Sequence, residues 1–451
     1  MSRKRIRFGG PTRQSADTTP TQLDADVHSL SLEGRGVARQ DGKTLFISGA
    51  LPGERVRARI TNRHKRFDEA ETLEVLEASS ERQSPPCVYY GRCGGCQLQH
   101  LKPDAQIQYK ERLVLDQLQR FANITPEVVE PALHSADLGY RRSARIGVNQ
   151  RSDGEALIGF RRQGSNKLID IDSCPVLEPR INRLLIELRP LLRDAGNIKH
   201  ITHLDISCGD QSGSLTLRHT RRLTDESISA LQQLCDQQGF QLYLLGNDNQ
   251  LQAIATDVPD PSYRPFETGP ELRFAPGDFL QVNAEINRQM VIRALQWLAP
   301  SAGERALDLF CGLGNFTLPL AQHAGEVIGV EGSAEMVART RDNAERNGLE
   351  NISVFKSDLS RDIRDTSWYQ QASLKGFDLI VLDPPRAGAE ECVRQLRQYG
   401  ARAVLYIACN PASLVRDAQL LIESGYRMTR FAVMDMFPHT AHVESMALFE
   451  C

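Results

Sequence analysis

The chain has 451 residues, of which 41% are hydrophobic, and its formal net charge at pH 7 is −3. This length predicts two to four domains, and this hydrophobic fraction excludes a chain that is intrinsically disordered throughout. The longest apolar runs fall far short of the roughly 18 residues that a membrane helix requires. The basic N-terminus is not followed by the apolar segment of a secretory signal. We therefore expect a cytoplasmic protein.

The N-terminal part of the chain divides into a tail and a small β-rich region. Residues 1–16 are polar and basic, and we expect them to form a disordered tail. From residue 17 to 80, short β-like runs are separated by turn sequences rich in glycine. The run 56–60, Val-Arg-Ala-Arg-Ile, would place its arginines on one face of a strand. The pattern predicts an OB-like barrel of a kind that often binds nucleic acid, although a solvated charged face is the alternative.

Four cysteines are candidates for a metal centre in the region that follows. Cys87, Cys93 and Cys96 have the spacing C-x5-C-x2-C, and Cys174, which precedes a proline, is the best candidate for a fourth ligand. Such a set can hold a [4Fe-4S] cluster or a structural zinc ion. Structural zinc usually has two pairs of closely spaced cysteines, and Cys174 has no such neighbour, so the spacing favours the cluster. Four unrelated buried cysteines are the remaining alternative.

Residues 81–273 mix helical and β-like segments, which predicts a central α+β domain. Helical periodicity covers residues 102–121 and 181–192, and β-like runs cover 140–172, 203–218 and 241–255. Arginines lie beside aromatic residues in the first of these β-like runs. Such pairs suit RNA phosphates and stacked bases, although ordinary charged strands would look the same.

Residues 274–451 alternate strands and helices, which is typical of a doubly wound, Rossmann-like domain. The strand at 305–309 leads into a Gly-x-Gly turn that lacks the third glycine of a dinucleotide fingerprint and the lysine of a P-loop. The next strand ends at Glu331, where a carboxylate can accept both ribose hydroxyls, and the third ends near Asp358, which suits an adenine amino group. Both acids could instead be simple helix caps. A ribose and adenine site without a phosphate loop predicts S-adenosylmethionine.

Two more strand ends carry residues suited to chemistry on a base. The fourth strand is followed by Asp383-Pro-Pro, a rigid loop that can hold a base taken out of its stack. The fifth strand ends at Cys409, which could add to C6 of a pyrimidine and so make C5 nucleophilic. The C5 proton must then leave, and Glu444, in an apolar setting, is the best candidate base. His439 and His442 are rivals, although both fit ordinary loop or core positions better.

Together, the motif around Gly312, Asp383-Pro-Pro-Arg, Cys409-Asn-Pro and the segment His-Val-Glu ending at Glu444 resemble the RNA 5-methyluridine methyltransferases. The N-terminal run Glu-Gly-Arg-Gly-Val-Ala-Arg at 33–39 resembles a TRAM domain, a small RNA-binding barrel. With the four cysteines, it is similar to the branch of the family that methylates a specific uridine of 23S rRNA. The resemblance implies a nucleophile at Cys409, a base at Glu444 and four [4Fe-4S] ligands at Cys87, Cys93, Cys96 and Cys174. It implies cofactor-binding residues at Gln281, Phe310, Asn315, Glu331, Asp358 and Asp383.

The domain prediction is therefore a tail at 1–16, a TRAM barrel at 17–80, a central cluster domain at 81–273 and a catalytic domain at 274–451. We expect a monomer with no obligate protein partner. Three alternatives stay open: an enzyme acting on another rRNA or tRNA uridine, a catalytically silent RNA-binding iron-sulfur protein, and a radical enzyme that uses the cluster on S-adenosylmethionine. The last usually needs C-x3-C-x2-C with an open iron.

Overall fold

The computed structural model describes residues 21–194, 198–255, 257–364, 366, 368–370 and 375–451. The chain divides into two compact units, Met1–Arg82 and Gln83–Cys451. The tail predicted for residues 1–16 lies outside the described residues. No helix in the described ranges is long and apolar enough to cross a lipid bilayer.

The first unit contains one six-stranded sheet with the order β1-β5-β6-β4-β3-β2, in which β4 and β6 are parallel and the other pairs are antiparallel. Alternate residues of its strands, including Val56 and Ala58, point into a small apolar core. The sheet is compatible with the predicted OB-like barrel. Its strands are β1 Gln22–Asp26, β2 Ser29–Leu30, β3 Gly36–Gln40, β4 Lys43–Ser48, β5 Arg55–Arg63 and β6 Phe67–Glu77.

The arginines of β5 lie on its outer face, as the alternating sequence predicts, but acids of neighbouring strands neutralise two of them. Arg57 contacts Asp24 at 3.1 Å and Glu74 at 2.8 Å, and Arg59 pairs with Glu71. Like most exposed pairs, these contribute little to stability. They do reduce the positive charge that this face could offer to phosphates.

The second unit begins with the cysteine-bearing segment and continues into a seven-stranded sheet with the order β10-β9-β8-β11-β12-β13-β14. Helices α2 and α3 cover one face of this sheet, where Leu184, Leu188 and Leu231 are buried against it. Cys208 and Cys235 are buried in the same core. The elements are β8 Ser143–Gln150, β9 Ala156–Arg161, β10 Leu168–Asp170, α2 Pro179–Asp194, β11 Ile201–Cys208, β12 Gly213–His219, α3 Asp225–Gln238, β13 Phe240–Leu245 and β14 Leu251–Ala253.

An eight-stranded sheet with the order β19-β18-β17-β20-β21-β23-β22-β7 forms the C-terminal part of this unit. Strands β17 to β21 are parallel, and β23 is antiparallel to both of its neighbours. The strands are β7 Val128–Val129, β17 Arg305–Leu309, β18 Glu326–Glu331, β19 Ile352–Lys356, β20 Leu379–Leu382, β21 Ala403–Ala408, β22 Arg427–Met434 and β23 Glu444–Glu450. A short pair, β15 Ser262–Tyr263 and β16 Leu272–Arg273, precedes it.

Helices cover both faces of the eight-stranded sheet. Ile286 and Met290 of α4 pack on one face, and Val114 and Leu118 of α1 pack on the other. Helix α1 and strand β7 therefore belong to this layer, although their sequence lies inside the range 81–273; the predicted domain boundaries stay predictions. The helices are α1 Pro103–Ala122, α4 Ala284–Leu298, α5 Thr317–Ala321, α6 Ala334–Arg346, α7 Glu390–Leu396 and α8 Pro411–Glu423.

Local sequence explains where the helices nearest the sheet edge begin. The side chain of Asn283 accepts a hydrogen bond from the backbone N–H of Ile286 at 3.2 Å, so α4 starts at a residue of a type that caps helices well. Asn410 caps α8 in the same way, and Pro411 occupies the first helical position, where a missing N–H costs nothing. The turn between β21 and α8 is therefore fixed at both of its ends.

Candidate active site

The carboxyl ends of the parallel strands meet at one edge of the eight-stranded sheet. In an open sheet, ligands bind beyond these ends, at the point where the strand order reverses. Here the reversal falls between β17 and β20. Phe310 follows β17, Glu331 ends β18, Asp383 follows β20 and Cys409 follows β21. The structure thus brings these four predicted site residues to one edge.

Cys409 and Glu444 come from neighbouring antiparallel strands. Ala408, the last residue of β21, pairs with Ser445 of β23, so the next residue of each strand continues the same register. Glu444 is also paired with Met434 of β22 and is almost completely buried. The thiol and the carboxylate therefore leave adjacent strands at the same level, as a nucleophile and a base acting on one ring must.

Charge and burial strongly perturb both groups. Burial raises the pKa of the Cys409 thiol to about 11, with Glu444 and Asp383 adding to the rise and Arg386 opposing it. Burial also holds the pKa of Glu444 well above its usual range, again raised by Asp383 and lowered by Arg386 and Lys110. A carboxyl group with a raised pKa is a better proton acceptor than an ordinary one. Arg386 is the cation that stabilises both anionic forms.

The loop after β20 is tied to the loop that carries the cysteine. Asn410 donates a hydrogen bond to the backbone oxygen of Arg386 at 2.9 Å. Asp417 of α8 accepts one from the backbone N–H of Ala389 at 2.7 Å and one from the hydroxyl of Tyr406 at 2.5 Å. These bonds fix the relative position of Asp383-Pro-Pro-Arg and Cys409-Asn-Pro, so the acid and the thiol do not move independently.

The glycine turn after β17 packs tightly against its own helix and lies beside Glu331. Gly314 has φ +99°, and a Cβ at this position would lie 2.3 Å from Cδ1 of Leu318, so only glycine fits. The Glu331 carboxylate accepts hydrogen bonds from the backbone N–H groups of Gly312 at 3.2 Å and Ser333 at 2.9 Å. These two donors orient the carboxylate at the sheet edge, where a ribose could bind it.

Two acids lie at the centre of the same edge, of which Asp308 is fully buried and Asp383 is partly exposed. Burial raises the pKa of Asp383 to about 7, and a hydrogen bond from Gln281 Nε2, at 3.3 Å, opposes the rise. Burial raises the pKa of Asp308 to about 7 as well, although the Thr317 hydroxyl donates to it at 2.5 Å. Gln281 and Asp383, both predicted cofactor residues, are therefore in direct contact.

Three other predicted cofactor residues have local roles of their own. Asn315 exchanges hydrogen bonds with Asn287 at 2.9 and 3.0 Å and accepts one from the Tyr263 hydroxyl at 3.0 Å. Most of its polar groups are thus already used. The carboxylate of exposed Asp358 binds the backbone and hydroxyl of Ser360, at 3.1 and 2.6 Å. Phe310 is partly buried and has φ +66°.

The two histidines that rivalled Glu444 lie in different surroundings. His442 is exposed at the loop before β23, with Nδ1 3.4 Å from a nitrogen of Arg386. His439 is fully buried, and its ring contacts Gln106 and Asp137. Of the two, only His442 lies beside Arg386, the residue that follows Asp383-Pro-Pro at the sheet edge.

Comparison with known proteins identifies the family of this site. The family model described as tRNA (Uracil-5-)-methyltransferase matches residues 102–451. The chain belongs to this family. The match spans α1, the seven-stranded sheet and the whole eight-stranded sheet.

Full-length relatives carry the similarity into the N-terminal unit. The chain is 44% identical over 432 residues to a protein of Hahella chejuensis named 23S rRNA (uracil(1939)-C(5))-methyltransferase RlmD, covering 95% of this chain and 97% of that protein. It is 44% identical to a protein of the same name from Stenotrophomonas maltophilia, with 97% and 99% covered. Both alignments therefore extend well beyond the range of the family model.

A solved structure of another family member shares the fold. Pyrococcus abyssi tRNA (uracil-54, C5)-methyltransferase, in complex with S-adenosyl-L-homocysteine, superposes with a TM-score of 0.72. The identity is 23%, and the superposition covers 95% of this chain and all of that one. The multidomain α/β methyltransferase fold predicted from the sequence is thus confirmed.

In the present chain, the four cysteines of the predicted cluster influence one another electrostatically. Burial raises the pKa of Cys96 to about 12, and Cys174, Cys93 and Cys87 add to the rise. Burial likewise raises that of Cys174 to about 11, with Cys87 and Cys93 contributing. Across the described residues, however, no three His, Cys, Asp or Glu side chains converge as ligands of a single metal ion.

Sequence reasoning missed a buried cation beneath the catalytic edge. Lys110 of α1 is fully buried and contacts Asp435 at 2.7 Å and the backbone oxygen of Phe437 at 3.0 Å. It also lowers the pKa of Glu444. A signal was available, since Gln106 and Lys110 continue the buried stripe of α1 at intervals of four residues.

We expect Lys110→Met to destabilise the protein by about 3–5 kcal/mol, because it leaves the Asp435 carboxylate buried without its counter-ion. Urea unfolding followed by circular dichroism measures the change. Lys102→Met, at the exposed start of the same helix, should stay within about 0.5 kcal/mol of the parent protein. A loss of stability below about 1 kcal/mol for Lys110→Met would show that the buried Asp435 carboxylate does not depend on Lys110.

Proposed function

We propose that this family member is an S-adenosylmethionine-dependent methyltransferase that modifies C5 of a uridine in 23S rRNA. The observation that carries the proposal is the placement of Cys409 and Glu444 on adjacent strands beside Asp383. Names of relatives at 44% identity support the substrate, and they give the position as uracil 1939. The chemistry needs a thiol nucleophile, a base and a methyl donor, and the site offers residues for each.

The first step is addition of the Cys409 thiolate to C6 of the uracil ring. The Sγ–C6 bond forms, the C5=C6 π bond breaks, and the electron pair moves to C5 and the adjacent carbonyl oxygen. Arg386 lowers the pKa of the thiol and so stabilises the attacking thiolate. S-adenosylmethionine, when bound, supplies a methyl group on a positively charged sulfur, and the electron-rich C5 carbon accepts that methyl.

The second step restores the aromatic ring. Glu444 removes the proton that remains on C5, the C5=C6 double bond forms again, and the Sγ–C6 bond breaks to release Cys409 as the thiolate. The raised pKa of Glu444 makes the carboxylate a strong acceptor for this proton. Asp383 contributes to that raised pKa, and it also accepts a hydrogen bond from Gln281.

For the cofactor, the residues at the sheet edge fit a nucleoside with a charged sulfur and no phosphate. At Gly312 a Cβ would meet only Cε of Met336, at 3.9 Å, so a ligand could approach the backbone closely there. Glu331 would accept the ribose hydroxyls, and Gln281, Phe310 and Asp383 would contact the rest of the molecule. Asn315 would donate through the one amide hydrogen that Asn287 does not use. Asp358 would need to rearrange its carboxylate, because that group already binds Ser360.

We further propose that Cys87, Cys93, Cys96 and Cys174 bind a [4Fe-4S] cluster. Their mutual effect on pKa values supports a shared site, since thiols that act on one another in this way lie close together. A zinc ion requires all four sulfurs about 2.3 Å from one centre. A cluster attaches each thiolate to a different iron and so tolerates a wider arrangement. Its role would be structural, because the methylation needs no electron transfer.

The remaining parts of the proposal concern the substrate and its setting. The six-stranded unit would act as a TRAM domain and bind rRNA through residues other than the paired arginines of β5. We propose that the protein acts as a monomer in the cytoplasm. The predicted alternatives, another RNA target or a silent RNA-binding protein, become outcomes of the experiment below.

We expect the purified protein to transfer labelled methyl groups from S-adenosylmethionine to 23S rRNA taken from cells that lack the modification. Mass mapping should locate one 5-methyluridine, at the position corresponding to uracil 1939. Bulk tRNA and already modified 23S rRNA serve as controls and should gain no label. Label on tRNA would reassign the substrate, and no label on any RNA would overturn the enzymatic function.

A further inference from the structure

The segment that delivers the catalytic base is held by residues far away in sequence. We call residues 435–443, which join β22 to β23 just before Glu444, the base loop. Lys110 contacts Asp435 and the Phe437 oxygen, and the Tyr140 hydroxyl donates to the oxygen of Pro438 at 3.0 Å. The strongest attachment lies at the centre of the loop, at His439.

His439 combines a rare backbone conformation with complete burial. Its φ is +66°, in the left-handed region that only a few per cent of residues other than glycine adopt, although histidine does so more often than most. Such a conformation is strained and persists only where the surroundings enforce it. Gln106 supplies that enforcement: its Oε1 accepts the backbone N–H of His439 at 2.7 Å, and its Nε2 lies 3.1 Å from Nδ1 of the ring.

These contacts define the state of the imidazole. Because Nε2 of Gln106 can only donate, Nδ1 of His439 must accept, which places the proton of the neutral ring on Nε2. That atom lies 3.1 Å from Oδ2 of Asp137. Burial lowers the pKa of His439 and keeps the ring neutral. Through Gln106, His439 thus joins α1 to the base loop.

The backbone oxygen of His439 joins the base loop to the cysteine-bearing segment. It accepts hydrogen bonds from the backbone N–H groups of Gln97 at 3.0 Å and Leu98 at 2.9 Å, directly after Cys96. The side chain of Gln97 accepts a further one from the N–H of Ala441 at 3.4 Å. Any displacement of the segment after Cys96 is therefore transmitted to the loop that ends at Glu444.

We propose that His439 and Gln106 are positioning residues that set the location of the Glu444 carboxylate, and that the segment after Cys96 acts on the base through them. The inference rests on the proposed function. It assigns the pair to one step of the reaction, the removal of the C5 proton. Cofactor binding depends on β17, β18 and β20, none of which the base loop joins. A misplacement of about 1 Å in a reacting group can cost on the order of 100-fold in rate.

The test follows the C5 proton directly. RNA labelled with tritium at C5 of the target uridine releases the label only at the Glu444 step. We expect His439→Asn and Gln106→Met to slow this release at least about 10-fold and to accumulate the covalent RNA–protein adduct. The dissociation constant for S-adenosylmethionine should change less than about twofold. Asparagine tolerates the positive φ, so His439→Asn removes the ring without enforcing a new backbone conformation.

A matched control separates positioning from general destabilisation. Gln241 is also buried and donates a side-chain hydrogen bond, to the oxygen of Val258 at 3.0 Å, but it lies in the seven-stranded sheet. Gln241→Met should lose stability without slowing tritium release or accumulating adduct. The proposal fails if His439→Asn releases tritium at the parental rate, or if His439→Asn and Gln106→Met both lose cofactor affinity together with proton release. Because the parent protein must methylate RNA first, this failure is distinct from failure of the proposed function.

The link to the cysteine segment has a readout that does not depend on activity. We expect Cys96→Ser, but not Cys235→Ser in the central core, to increase hydrogen exchange at residues 438–443, because the donors to the His439 oxygen lose their fixed position. Mass spectrometry of the folded full-length protein measures the exchange. Unchanged exchange in this segment would overturn the proposed transmission from the cysteines to the base.

Discussion

Cys409→Ala should reduce methyl transfer to 23S rRNA by at least about 10⁴-fold, the scale on which loss of a covalent nucleophile is felt. The cause is chemical: without sulfur addition at C6, C5 of uracil has no electron pair to offer. The thiol lies beyond β21 and outside the contacts of Glu331 and Gln281, so the dissociation constant for S-adenosylmethionine should stay within about twofold. Filter binding and equilibrium dialysis measure the two quantities.

A second readout separates chemistry from folding. Fluorine at C5 cannot leave as a proton does, so RNA with 5-fluorouridine at the target should trap the parent protein as an adduct that survives denaturation. Cys409→Ala should form none. Cys392→Ala is the matched control, since this thiol is buried on α7, in the core that packs on the same sheet, and donates to the oxygen of Leu359. Methylation by Cys409→Ala, or loss of it in Cys392→Ala, would refute the assignment of the nucleophile.

The sheet edge that carries the candidate site was predictable, because each parallel strand can be recognised from its own short stretch of sequence. Short apolar runs identify the strands, and the residue after each run must appear at the common edge. Phe310, Glu331, Asp383 and Cys409 meet there for this reason. The partner strand β23 is different, since its register with β21 depends on pairing that no single-strand pattern specifies. Glu444 was found from its apolar flanks and its family motif.

Helix α1 shows where the sequence misled the prediction. The helical periodicity assigned to residues 102–121 ends at Phe121, which is nevertheless 74% exposed. Gln106 and Lys110 are buried instead, on the stripe that continues to Val114 and Leu118. A polar residue looks like a surface residue until its partner is known, and Asp435 is 325 positions away. Long-range polar pairing is the part of this site that composition and periodicity do not encode.

Charge patterns needed the same correction. The alternating arginines of β5 were assigned to the right face of their strand, but the acids of β1 and β6 that neutralise them belong to other segments of the chain. Asn315 similarly occupies its predicted place in the glycine turn while Asn287 and Tyr263 use most of its polar atoms. Sequence identifies which groups reach a surface, and only the fold determines which of them are still free.

Glu444→Gln should convert the enzyme into one that stops after methyl transfer. The amide has nearly the same shape but cannot accept the C5 proton, so the Sγ–C6 bond cannot break and the RNA remains attached to Cys409. Addition itself should survive, because the negative charge of Glu444 raises the pKa of the thiol and its removal lowers it. We therefore expect a stable adduct that carries one labelled methyl group per RNA, and tritium release from C5 slowed by at least about 10³-fold.

The methyl content of that adduct distinguishes two orders of events. If proton removal followed methyl transfer, as proposed, gel electrophoresis under denaturing conditions should show both labels, RNA and methyl, in the shifted band. An adduct without the methyl label would place Glu444 before methyl transfer, and normal release of methylated RNA would remove it from catalysis. Glu450→Gln is the control: it lies at the other end of β23, where its carboxylate accepts a hydrogen bond from Thr429 at 2.6 Å. Glu450 lies six residues along β23 from Glu444, the residue that is level with Cys409. Glu450→Gln should therefore methylate RNA at the parental rate.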